Sequence, residues 1–512
     1  MADQVTESMG TLARGITVNM IGSGYNVTSR MLFNVLIARI LGPRQAGVYY
    51  LALTVAYLVG VMAVGGLDTT VIRFLARYRV DNNWGAFRGT LRFALRAVGA
   101  FGILGSICLL FGAPWLATTI FQKPELIVPL RIVASYVPLF AFEAVMLAAT
   151  QSFKQMKYKV YIEAMLNPTL RILLAGTVYL LGGRVYAVLG AYIFSVLICA
   201  ILSVIALRRC MPVNLAAFPP EVHRRELLDY WSPMFGVHVL NFTVLYADTL
   251  ILAHFRSSTE VGLYSVCFRL IVVQGFFLGV VSQIFGPMVS ELHHRSELKQ
   301  LADYSKAITV WAVEVFAPVA LVFLVAPREI MSVFGGGFRS AAPCLMILVV
   351  GQVANYVTGP VGLIINMAGW SRLQLVNTST SLALQVTLAI LLIPRWGIYG
   401  AAVANSAALV TLNLMQLFIV RRRLGFHPFS MVLVKPFLAV LASLAVAALL
   451  TRHPIFSGTR QAALVCAGML VAYIGTLFSL GLDKHSKIAW EQFRHLILPR
   501  LLSRPAGVLL GR

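Results

Sequence analysis

Fourteen times along its 512 residues this chain runs for about 20 residues with scarcely a charge. A run of that length, coiled at about 1.5 Å per residue, is what an α-helix needs to cross the hydrocarbon layer. Lipid offers no water to the backbone N–H and C=O groups, so each run has to satisfy them internally as a helix. The spacing predicts helices over 16–41, 45–67, 93–113, 131–150, 163–183, 185–207 and 233–254 in the first part of the chain. It predicts seven more over 262–287, 307–326, 341–366, 376–394, 397–420, 431–451 and 461–481. Composition agrees, because charged residues make up 12% of the chain where a soluble protein carries about a quarter. So few charges cannot clothe a water-facing surface. The fold class read from this pattern is an all-α integral membrane protein of about fourteen transmembrane helices.

The remaining charge is lopsided, with 42 Lys and Arg against 19 acids and a formal net of +23. A nucleic-acid binder and a membrane protein obeying the positive-inside rule would both look like this. Position separates them. With the N-terminus placed inside, the inner segments hold 27 cations, the outer loops 10 and the helices themselves 5. The excess is parcelled out loop by loop on one side, which predicts both termini in the cytoplasm and excludes nucleic acid as partner. Every loop is short. The inner stretches 208–232 and 288–306 mix charges and are expected to form short amphipathic helices. Beyond 485, Ile488, Phe493 and Leu501 alternate with Arg494, Arg500 and Arg504, a pattern shared by interfacial helices and solvated tails. The first apolar run is too long for a signal-peptide core and no small-residue cleavage site follows, so the first helix is expected to be retained.

Polar residues inside the spans carry the functional signal, because a charge at mid-span costs about 2.5–3.5 kcal/mol on the insertion scale. In the first helix Asn19, Ser23, Asn26, Arg30 and Asn34 recur at spacings of 4, 3, 4 and 4, which puts them on one face. The seventh repeats the theme with His238, Asn241 and Asp248. Glu143, Arg171, Arg269 and Glu314 lie nearer the ends of their helices, where an ion pair locking two helices is an equal explanation. Arg39 and Arg96 are placed to snorkel. Gln352, Asn355, Gln374, Asn377 and Gln385 would give the second half a polar, uncharged lining. Six cysteines are scattered singly with no metal spacing. There is no G-x-x-x-x-G-K-[ST], no H-E-x-x-H and no G-x-S-x-G, and the longest outer loop, 114–130, holds one Lys and one Glu. No enzyme active site, metal or cofactor is expected.

The chain also repeats weakly at an offset of 215 residues. Aligning 23–61 with 238–276 pairs Asn26 with Asn241, Thr28 with Thr243, Ala38 with Ala253, Gly47 with Gly262, Tyr49 with Tyr264 and Gly60 with Gly275. Both copies join a polar-striped helix to a G-x-Y that opens the next. Two parallel six-helix halves, 1–210 and 211–427, followed by two more helices in 428–482 and a cytoplasmic tail in 483–512, is the organisation this suggests. Transporters often build a central cavity from such repeats.

The run from Arg39 through Ile-Leu-Gly-Pro-Arg-Gln-Ala-Gly-Val to Tyr49, with Gly65-Gly66-Leu67 and Arg73-Phe74, resembles the first helix junction of polysaccharide exporters and O-antigen flippases. Ala247-Asp248-Thr249 through Val261-Gly262-Leu263-Tyr264, and Ile393-Pro394-Arg395-Trp396-Gly397 through Ala402, are similar to later junctions of the same family. That family belongs to the multidrug/oligosaccharidyl-lipid/polysaccharide exporter superfamily. The resemblance implies two six-helix lobes around a central cavity, alternating access, and a cationic lumen. The implied cargo is an undecaprenyl-diphosphate-linked oligosaccharide crossing the bacterial inner membrane, with membrane lipids, a polysaccharide polymerase and a chain-length regulator as partners. Arginine suits a diphosphate because its planar fork matches phosphate oxygens. The expected substrate-binding residues are therefore Arg30, Arg171 and Arg269, with Asn26 and Asn241 beside them. Asp248 and Glu143 are the residues expected either to bind a coupling Na⁺ or H⁺ or to pair with those arginines. A multidrug exporter and a peptidoglycan-precursor flippase of the same superfamily stand as rivals. A membrane-embedded polymerase and a non-transporting scaffold are remoter ones.

Overall fold

The computed structural model describes residues 2–153, 155–212, 214–452 and 459–481. The expected tail at 483–512 and the side chain of Asn19 lie outside the described residues. No strand occurs among the described residues, and eleven helices there are long and apolar enough to cross a membrane.

Several of the expected spans differ from a simple rod. The helix expected at 16–41 and most of that expected at 45–67 fall within one helix, Ala2–Val64, broken at Gly42 with φ 66° and ψ 175°. Pro43 follows, and proline drives the residue before it out of helical geometry; the positive φ found there is one that glycine takes without strain. The span expected at 163–183 is divided between a π-helical segment, Val160–Leu166, and the helix Asn167–Leu180. That expected at 262–287 is shared by Ser258–Gln274 and Phe276–His294.

The stretch expected at 208–232 as an amphipathic helix is instead an irregular segment followed by the start of the long helix Arg224–Phe255. Its backbone docks on the helix Trp84–Trp115: Glu221 N donates to Gly85 O at 3.1 Å, and Arg88 donates to Phe218 O. Gly89 makes the approach possible, since a Cβ there would stand 1.7 Å from Glu221 O. The stretch expected at 288–306 likewise divides between the end of Phe276–His294 and the start of Leu298–Val325, with Ser296 in the turn at φ 59°.

The chain forms two compact units. The first comprises Met1–Phe276, Ile330–Leu348 and Thr378–Ala408. Its organising contact is between Ala2–Val64 and Ser258–Gln274, which cross at Gly47 and Gly262. A Cβ at Gly47 would fall 1.7 Å from Ser258 O and one at Gly262 2.0 Å from Pro43 O, while each would sit 2.9 Å from the other glycine's nitrogen. Without a driving force from water, helices in lipid associate by close van der Waals approach, and small residues allow it. The glycines paired by the internal repeat are therefore paired in space.

The second unit comprises Phe277–Glu329, Val349–Asn377 and Leu409–Arg512. Phe285, Val289, Ile308, Ile364 and Val420 form one of its cores, and Ala439, Ala447, Val465 and Met469 join the last two helices in another. Several of its polar residues bond helix to helix: Thr358 Oγ1 donates to Asn413 Oδ1 at 2.9 Å and Gln416 Nε2 to Gln374 Oε1 at 3.2 Å.

Candidate functional site

Within the first unit the helices Ala2–Val64, Tyr136–Gln151, Asn167–Leu180 and Val185–Cys210 leave a cavity of about 420 Å³ between them. Apolar runs would be expected to close over such a space. They do not, because charged side chains point into it: Arg30, Lys159, Arg171 and Arg269 with Asp68, Glu143 and Glu163. Among the described residues none of these cations is ion-paired with any of these carboxylates. Arg30 is an exposed side chain, and Asp68 lies 3.9 Å from His238.

The arginines rest on tyrosines instead of carboxylates. The Arg171 guanidinium lies 3.9 Å from the ring centre of Tyr192, and that of Arg269 lies 4.2 Å from Tyr50. A cation over an aromatic face is attracted by the ring quadrupole, by about 2 kcal/mol or more when water is excluded. Stacking spends the flat face of the guanidinium and leaves its edge of N–H donors. The Nε of each is buried without a hydrogen-bond partner among the described residues, and so is Glu143 Oε1. Unsatisfied buried donors of this kind cost energy and mark a place where a ligand can repay it.

The rest of the wall is aromatic. Tyr49, Tyr50, Tyr57, Tyr136, Tyr192 and Tyr246 all line the cavity, with ring contacts such as Tyr49–Tyr192, edge to face at 6.5 Å, and Tyr136–Tyr192, tilted at 5.8 Å.

The structure thus brings Arg30, Arg171, Arg269 and Glu143 to one cavity, together with Asn34 from the first helix's stripe. It does not bring Asn26, Asn241 or Asp248 there. Asn26 spends its amide on the carbonyl of Glu163 at 3.4 Å, and Asn241 is an exposed residue of Arg224–Phe255. Asp248 is fully buried elsewhere in the unit, accepting from Tyr264 Oη, from Asn405 Nδ2 at 3.0 Å and from Thr249 N at 2.6 Å. Its neighbours there are neutral donors, not the arginines. The tyrosines, with Asp68, Lys159 and Glu163, were missed by reading charge within apolar runs. The available signal was the number of tyrosines deep inside spans, away from the interfacial belts where this residue concentrates.

Residues 12–293 match the family described as polysaccharide biosynthesis protein. The chain belongs to that family. The matched stretch contains every residue lining the cavity. Among its relatives is the succinoglycan biosynthesis transport protein ExoT of Rhizobium meliloti. It is 24% identical over 321 residues, which make up 61% of this chain and 60% of that one. The solved structure of the lipid II flippase MurJ in an inward closed conformation aligns at a TM-score of 0.72, over 93% of this chain and 99% of that one, with 13% identity. An inward-facing multidrug resistance MATE family transporter of the MOP superfamily aligns at 0.66, over 78% and 94%, with 14% identity. At such identities the likeness is one of fold. The polysaccharide biosynthesis family member is a multi-pass helical membrane protein built on the fold these transporters share.

Proposed function

We propose that the protein is a flippase that carries an undecaprenyl-diphosphate-linked oligosaccharide from the inner to the outer leaflet of the bacterial inner membrane by alternating access, for surface polysaccharide synthesis. Both termini are cytoplasmic in this reading, the lobes 1–210 and 211–427 are the bodies that move, and a polymerase and chain-length regulator receive the cargo. The bond chemistry of the cargo is unchanged, so the protein is not an enzyme. One observation carries the proposal: Arg30, Arg171 and Arg269 meet at one cavity with no carboxylate partner among the described residues. A diphosphate brings about two negative charges to guanidinium edges that are already oriented. An inside-negative potential then favours outward movement by about 2.3 kcal/mol per charge per 100 mV.

Coupling to H⁺ or Na⁺ is assigned to Glu143 or Asp248. Glu143 lines the cavity with one oxygen unpartnered among the described residues, so its ionisation sets a second anion against the diphosphate for the same arginines. Asp248 is the enclosed alternative. An exporter of organic cations is the second reading, favoured by six tyrosines and three carboxylates in the wall. Against it, the faces of Tyr50 and Tyr192 are already covered by the protein's own arginines, which leaves a ligand cation those two fewer places to rest.

Arg30→Ala tests the proposal. Losing a hydrogen bond to a charged group costs about 1.5–3 kcal/mol, so surface polysaccharide should fall by roughly ten- to a hundredfold while the protein inserts at its normal level. Wild-type polysaccharide in that variant would remove Arg30 from the path.

A further inference from the structure

The cavity holds aromatic surface that the arginines do not use. Tyr49, Tyr50 and Tyr136 are buried, and Tyr192 lies under Arg171. Tyr57 and Tyr246 are different. Both are half-buried, and their rings meet at 74° with centroids 6.1 Å apart, forming an open corner. Neighbouring rings brace that corner: Phe140 stands edge-on to Tyr57 at 5.3 Å, and Phe242 stacks on Tyr246 at 4.8 Å. Arg30 lines the same cavity as both rings, so the corner shares its space with a cation of the diphosphate site.

Resting on the flippase reading, we propose that Tyr57 and Tyr246 form a platform for a pyranose ring joined directly to the diphosphate. The apolar face of a pyranose presents C–H groups of slight positive charge, and an aromatic face is electron-rich, so the two stack. The rim of the same cavity supplies what the hydroxyls need. Glu163 and Asp68 accept, and Gln151 both donates and accepts. A cavity of about 420 Å³ lies at the small end of the roughly 300–1,000 Å³ common for ligand pockets. It has room for a diphosphate and an adjoining sugar together. An acyl or isoprenoid chain has no use for this ring of carboxylates and amides, so the corner is assigned to carbohydrate and not to the lipid tail.

The experiment compares two ligands on the full-length protein in nanodiscs: a short-chain prenyl diphosphate, and the same molecule carrying one hexose. The wild type should bind the glycosylated form about tenfold tighter, as expected for a sugar resting on two rings. Tyr57→Ala and Tyr246→Ala should bring the ratio of the two affinities to about one. Tyr57→Phe, which keeps the ring and guards against a misfolded alanine variant, should retain it. Arg30→Ala should weaken both ligands alike. Equal affinity of the wild type for the two ligands, or an undiminished ratio in both alanine variants, would overturn the platform alone. Failure of the wild type to bind either ligand would overturn the flippase reading and the platform with it.

Discussion

In the repeat copy at 238–276, Tyr264 gives its hydroxyl to Asp248, sixteen residues earlier and fully buried. In the copy at 23–61, the matching Tyr49 has Phe33 where the other has Asp248, and its hydroxyl is buried without a partner among the described residues. The two copies share the glycine crossing at Gly47 and Gly262, and with it their backbone course. They differ in where charge goes. Arg30 corresponds to Leu245, and Arg269 to Thr54, so neither cavity arginine has a charged counterpart in the other copy. One copy closes a carboxylate inside a cage of neutral donors, and both lend single cations to the cavity. The repeat supplies a scaffold, and departures from the repeat supply the site.

The shared crossing is the element whose loss should cost most. Gly47→Ala puts a methyl group 1.7 Å from a backbone oxygen, where no side chain can turn aside to make room. The penalty should reach or exceed the upper end of the roughly 1–3 kcal/mol that overpacking costs, and the yield of monodisperse protein in size-exclusion chromatography should collapse. Gly262→Ala should behave alike, since its methyl would meet Pro43 O at 2.0 Å. Gly99, whose added Cβ would meet nothing within 4 Å, is the control. Alanine there should be neutral or stabilising by up to about 1 kcal/mol, as helix propensity favours it. If Gly47→Ala were as harmless as Gly99→Ala, the copies would not be held by this contact.

The caged carboxylate comes next. Tyr264→Phe takes one donor from Asp248 Oδ2 and leaves Asn405 as its remaining partner there at 3.0 Å. Losing a hydrogen bond to a buried carboxylate should cost about 1–3 kcal/mol, read as a lower unfolding midpoint in detergent. An unchanged midpoint would mean that Asn405 and Thr249 hold Asp248 by themselves.

Much of this arrangement is visible in the sequence, and the reason for the remainder is specific. Helices over lipid-thick apolar runs follow from solvation alone, and Gly42-Pro43 announces the break between the first two. Arg30, Arg171, Arg269 and Glu143 stand out because charge inside an apolar run needs a reason. Asp248 stands out equally, yet its partners Tyr264 and Asn405 lie 16 and 157 residues away, and only the fold shows that they enclose it. Asn26 and Asn241 match in the repeat, but an amide can be spent on a neighbouring carbonyl, as Asn26 spends its own on Glu163. The tyrosines were hidden for a different reason. Within an apolar run a tyrosine reads as one more large ring, and whether it faces lipid, core or cavity is decided by neighbours in other helices.

The smallest effect is the sharpest test of the comparison. Tyr49→Phe removes a hydroxyl that is buried and unpartnered among the described residues, so nothing is lost that the protein itself supplied. Removing it should leave stability within about 0.5 kcal/mol or raise it slightly, because a buried polar atom without a partner is a cost already carried. The same chemical change at Tyr264 should be several times more damaging. Measuring both midpoints with and without a prenyl diphosphate adds a second axis. The Tyr264→Phe deficit should be unaltered by the ligand, since that hydroxyl faces Asp248. The Tyr49→Phe protein should lose part of the ligand-induced stabilisation seen in the wild type, if phosphate oxygens are what that hydroxyl meets. Equal deficits at the two positions without ligand would mean that Tyr49 has a protein partner after all, and that the first copy is closed in the same way as the second.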